Sequence, residues 1–80
     1  MTKHEFVKKI EDGRDIMFDV NGRHFVIFTW PKEGLGIAEQ DPAGDVLHYY
    51  ETPELLIDGF MIGGTSLSSL CSSVVITDYS

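Results

Sequence analysis

The chain has a single cysteine, Cys71, so it can form no internal disulfide. That excludes the stapled architecture of small secreted domains and fits a reducing cytoplasm. Long hydrophobic runs are missing too. The longest strictly aliphatic or aromatic stretch is Phe25–Phe28, far short of the ~20 residues a membrane helix needs. The opening MTKHEF has no apolar segment of signal-peptide length. These absences predict a soluble, cytoplasmic protein. Positive charge is missing from most of the chain. All six Lys and Arg lie in the first 32 positions, while residues 33–80 hold eight carboxylates and no Lys or Arg. Net charge is −7, split as +1 over residues 1–32 and −8 over residues 33–80. Such a surface repels nucleic acid and anionic lipid and attracts a basic groove.

Catalytic signatures are sparse. No serine lies in a G-x-S-x-G elbow. Gly63-Gly64-Thr65-Ser66 lacks the lysine and glycine spacing of a phosphate loop. Cys71 falls on an apolar stripe, where an inert thiol is the usual case. His4, His24, His48 and Cys71 have the chemistry of zinc ligands, but none has local ligand spacing. Asp19, His24 and His48 are the candidate metal ligands, with zinc as the candidate ion. Asp19 and His24 are expected to face each other across a hairpin, more simply as a cross-strand polar pair. The sequence thus points to a protein that is not an enzyme and has no obligatory cofactor.

Eighty residues make one domain, 1–80, burying around two-thirds of its unfolded surface. The expected fold is α+β: an N-terminal helix on a four- or five-stranded antiparallel sheet, with one or two short C-terminal helices. Thr2 and Glu5 form a capping-box pattern, with Met1 and Phe6 as a hydrophobic staple. Phe6, Val7 and Ile10 make one apolar stripe, and Gly13 ends a helix at about 3–12. Asn21-Gly22 is the strongest short hairpin signal, joining strands at 16–20 and 23–30. That register puts Ile16, Phe18, Phe25 and Ile27 on one face. The other face, with Met17, Asp19, His24, Val26, Phe28 and Trp30, is unusually apolar away from the turn. A loop at 31–34, a strand at 35–40, a turn at Asp41–Gly44 and a strand at 46–50 follow.

Thr52-Pro53-Glu54 starts a short helix ending at Gly59. Gly63-Gly64 breaks the chain, and Thr65 or Ser66 caps a further short helix. Residues 74–77 read equally as a fifth strand or the end of that helix. The expected core adds Phe6, Ile10, Leu55, Ile62, Leu67 and Leu70 to the four hairpin residues.

The candidate partner surface is the acidic segment: Glu39, Asp41, Asp45, Glu51, Glu54 and Asp58, with Trp30, Tyr49 and Tyr50 as aromatic anchors. Turn and cap chemistry accounts for several of these acids, and strand packing accounts equally well for the aromatics. Neither explains the missing cations. Carboxylates on a rigid surface can mimic phosphates and occupy a nucleic-acid channel.

The order of an N-terminal helix, GRDIMFDVNGRHFVIF and YETPELLIDGFMIGGTSL resembles small uncharacterised acidic proteins of Gram-positive bacteria and their phages or mobile elements. In size, acidity and compactness the chain is also similar in kind to type II anti-CRISPR proteins. The implied role is inhibition of a basic protein partner, such as a Cas nuclease in the bacterial host cell, without direct contact to nucleic acid or membrane. The alternatives are a zinc-stabilised small domain, and a housekeeping or immunity-type interaction module using the apolar sheet face, as a homodimer or with another protein.

Overall fold

Thr2 sets the start of the first helix, α1 (Lys3–Glu11). The Glu5 amide donates to Thr2 Oγ1 at 3.2 Å, and the Thr2 amide donates to Glu5 Oε1 at 3.0 Å. Two amides that the helix leaves unpaired are thereby satisfied. The computed structural model describes residues 1–30, 32, 34–40 and 46–79.

The bonds from Thr2, its backbone amide first, hold the Glu5 carboxyl below its ordinary range. A depressed carboxylate pKa contributes stability above the unfolded value, and that contribution is lost as pH falls through the folded value. Glu5→Gln is therefore expected to flatten the acid limb of the thermal midpoint against pH. Identical acid slopes for the two proteins would show that the cap bond has no such role.

Gly13, at φ +78°, turns the chain out of α1, where only glycine is unstrained. Then β1 (Ile16–Val20) and β2 (Arg23–Trp30) form the hairpin. Asn21 and Gly22 both have positive φ, 51° and 79°, as a type I′ turn requires. The pairing is Val20 to Arg23, Asp19 to His24 and Phe18 to Phe25, as the turn predicts. β3 (Gly34–Glu39) and β4 (His48–Tyr50) continue the meander. α2 (Pro53–Gly59) has Thr52 as its cap, with Oγ1 accepting from the Leu55 amide at 3.1 Å.

Gly63-Gly64 makes a tight turn rather than a simple break. It joins β5 (Met61–Ile62) to β6 (Thr65–Ser66) in a two-stranded ribbon. Ser66 caps α3 (Leu67–Leu70), which passes into one 3-10 turn at Cys71–Ser73. Finally β7 (Val75–Tyr79) pairs antiparallel with β1. The main sheet has the order β4-β3-β2-β1-β7, so residues 75–79 are its fifth strand. A register shift opposite Met17 and Phe18 places a bulge in β7. The fold is the expected α+β arrangement.

Side chains of alternate strand residues meet the helices in one core. It contains Phe6, Ile10, Ile16, Phe18, Phe25, Ile27, Ile37, Leu56, Ile57, Phe60, Ile62 and Leu67. Phe18 is fully buried. Phe6 meets it edge-on and Phe25 stacks on it, each with centroids 5.4 Å apart, and Phe60 meets Phe25 edge-on at 5.8 Å. Two expected core residues differ. Leu55 is 53% exposed, because the phase of α2 turns Leu56 and Ile57 inward instead. Leu70 only flanks the core. Val46 and Leu47, expected in the fourth strand, precede its ladder. The turn expected at Asp41–Gly44 lies outside the described residues.

Tyr79 fastens β7 to α1. Its hydroxyl lies 2.5 Å from Asp12 Oδ2 and 3.1 Å from the Lys9 carbonyl oxygen, with Arg14 over its ring at 5.2 Å. The bond to Asp12, above all, pushes the phenol pKa up. Among the described residues, no helix is long and apolar enough to cross a membrane.

Candidate functional site

The helices cover one side of the main sheet only. Strand alternation and register put Met17, Asp19, His24, Val26, Phe28, Trp30, Gly34, Gly36, Ala38, Tyr49, Val75 and Asp78 on the other side. None of these is Lys or Arg. Lys3, Lys8 and Lys9 sit on α1, and Arg23 is on the helix side, in step with Phe25. Lys32 is in the turn after β2.

An aromatic platform forms on this open face. Phe28 and Trp30 stack with centroids 5.8 Å apart, and Trp30 and Tyr49 lie 6.0 Å apart at a 34° tilt. Gly36 makes the arrangement fit. A Cβ there would lie 2.9 Å from Trp30 Cζ3 and 3.1 Å from Leu47 Cδ1, closer than such atoms pack. The indole therefore packs directly over the glycine. Tyr49 is 66% exposed and Met17 39% exposed. Val26 is buried, yet it lies outside the helix-side core.

The candidate partner residues do not form one acidic surface among the described positions. Glu39 is on the helix side, in step with Phe25. Arg23 binds it through two parallel bonds, Nε to Oε2 at 2.8 Å and Nη2 to Oε1 at 2.7 Å. Asp58 pairs with Lys3 at 2.7 Å, an exposed contact of small energetic value. The cations missing from the second half are thus partly returned by the fold. Glu54 is exposed on α2, and Glu51 is exposed just before it. Trp30 and Tyr49 share the open face, whereas Tyr50 turns inward against Gly59. Asp41 and Asp45 lie outside the described residues.

The candidate metal ligands are divided. His24 Nδ1 is 2.5 Å from Asp19 Oδ1 on the open face. His48 is in step with Ile37 on the helix side and meets Phe60 edge-on at 5.5 Å. Cys71 is buried, and desolvation raises its thiol pKa. Among the described residues, no three His, Cys, Asp or Glu side chains come together as a metal site.

Two hollows adjoin these surfaces. One, of about 370 Å³, is lined by Arg23, Phe25, Glu39, His48, Tyr50 and Phe60, among others. Its two charged groups are bonded to each other, so it presents a salt-bridged wall and an aromatic floor. The other, of about 290 Å³, runs from Trp30 and Thr29 to Glu11, Glu51 and Pro53. It lies where α1 ends and α2 begins. The sequence signalled neither hollow, because each assembles residues from separate elements. The nearest signal was the hairpin register, which already placed Arg23 beside Val20. Comparison with family models, curated proteins and solved structures gives no match.

Proposed function

We propose that this chain is a non-catalytic binding protein whose open sheet face docks on a basic protein. The observation that carries this reading is the platform of Phe28, Trp30 and Tyr49 on a face that has no Lys or Arg among its described strand residues. Aromatic rings on an open sheet also suit stacked nucleobases. Polyanion binding, however, needs cations along the backbone path, and this face carries Asp19 and Asp78 instead. A basic protein surface satisfies both the rings and the carboxylates. The partner is a nucleic-acid-handling enzyme of the bacterial cytoplasm, and binding inhibits it by covering its basic surface. An anti-CRISPR acting on a Cas nuclease is the most concrete form, in keeping with the small size and one-sided acidity of the sequence.

The test is capture from nuclease-treated bacterial lysate on wild-type and Tyr49→Ala protein, at low and high salt. The expected result is a basic nucleic-acid enzyme retained at low salt, weakened by Tyr49→Ala and inhibited by added wild-type protein. Retention unaffected by both salt and the substitution would place binding elsewhere. Recovery of the chain itself alone would make the face a self-association surface.

A further inference from the structure

We infer that the hollow beside His48 and Tyr50 binds a small neutral nitrogen heterocycle, one that both donates and accepts hydrogen bonds along one edge. The hollow lies on the helix side of the sheet. It is therefore separate from the open face, and the inference goes beyond the docking proposed there. Its volume of about 370 Å³ is near the lower end of the range for small-ligand pockets, enough for one or two fused rings.

Charge selects a neutral ligand. Arg23 and Glu39 are the two ionic side chains of the lining, and they hold each other through parallel bonds of 2.8 and 2.7 Å. The wall they form has no net charge. An anion drawn to Arg23 would compete with Glu39, and a cation drawn to Glu39 would compete with Arg23, each at the cost of a forked pair. A neutral ligand leaves the pair intact.

The polar groups select a hydrogen-bonding edge. His48 and Tyr50 are two positions apart on β4 and point to the same side, roughly 7 Å apart along the strand. That spacing is about the width of one heteroaromatic ring. Neither side chain hydrogen-bonds to another described residue. The Tyr50 hydroxyl is reachable, since Thr29 Oγ1 is the one buried polar side-chain atom without a partner among the described residues. A phenol and a neutral imidazole each donate and accept. The apolar contacts come from Phe60, which meets the His48 ring edge-on at 5.5 Å, and from Met61, which is 54% exposed and whose thioether suits a ring edge.

The test is a titration with adenine, and with benzoate and benzylamine as charged rings, followed by amide NMR. The proteins are wild type, Tyr50→Phe and Tyr49→Phe. Each substitution removes one hydroxyl and keeps the ring, and Tyr49 is on the opposite side of the sheet. Adenine is expected to shift the Gly59, Phe60 and Met61 amides saturably, with a dissociation constant on the order of millimolar. Tyr50→Phe should weaken it roughly fivefold, Tyr49→Phe should not, and both charged rings should bind less tightly than adenine. Shifts confined to the open face, shifts that do not saturate, or equal affinity of Tyr50→Phe and wild type would overturn the site. Benzoate or benzylamine binding as tightly as adenine would overturn the neutral class of ligand. Neither result would touch the docking of a basic protein on the other side.

Discussion

Phe18→Ala is expected to cost about 3–5 kcal/mol, a large share of the stability of the fold. Phe18 is fully buried between Phe6 of α1 and Phe25 of β2. Its ring is the contact through which the helix layer meets the hairpin. Truncation removes that burial and opens a void between elements that relax only in part. A domain of this length holds on the order of 4–12 kcal/mol in total, so one such loss consumes much of the margin. Urea unfolding followed by circular dichroism measures it. A midpoint close to wild type would mean that the core repacks around the gap, and that the Phe6–Phe18–Phe25 stack is not the centre of stability.

Trp30→Ala has the opposite profile. The fold is expected to survive, because Trp30 is half-buried on the open face and lies outside the core cluster. Partner affinity is expected to fall by at least roughly thirtyfold, the loss typical of an aromatic anchor at the centre of an interface. Trp30 is the middle ring of the platform, between Phe28 and Tyr49, so its removal leaves the other two without their shared neighbour. Calorimetric titration of the captured partner, alongside a thermal melt of the variant, separates the two effects. A folded variant with unchanged affinity would remove the open face from the binding mechanism.

The parts of the fold legible in the sequence are those fixed by neighbours in the chain. Asn21-Gly22 dictated the hairpin register because positive φ at two successive residues admits few turns. Thr2 with Glu5 located the start of α1, since both halves of the cap lie within one turn. Residues 74–77 are ambiguous in the sequence because the strand partner of this segment, β1, is remote along the chain. The seven residues of α2 are too few to set its phase, so the sequence alone does not separate the exposed Leu55 from the buried Leu56 and Ile57. At the site, charge segregation along the chain did not become charge segregation in space. The β2–β3 register brings Arg23 and Glu39 together, and α1 lies against α2, where Lys3 meets Asp58. The apolar character of the second hairpin face was legible because strand alternation alone determines it. Its extension across Gly36 to Tyr49 required the register of two further strands.

The pairing of β1 with β7 bears on how the chain is made. Their contacts link residues about sixty positions apart, whereas the β1–β2 turn closes over two. During synthesis α1 and the hairpin emerge together, and the hairpin can form within microseconds. The outer edge of β1 then stays open until β7 has left the ribosome. At common synthesis rates that wait lasts several seconds. Through it the nascent protein carries an unpaired strand edge beside Met17 and Phe18, a template for pairing with a second nascent chain. The interval before β7 docks, rather than the finished fold, is when β1 offers that open edge.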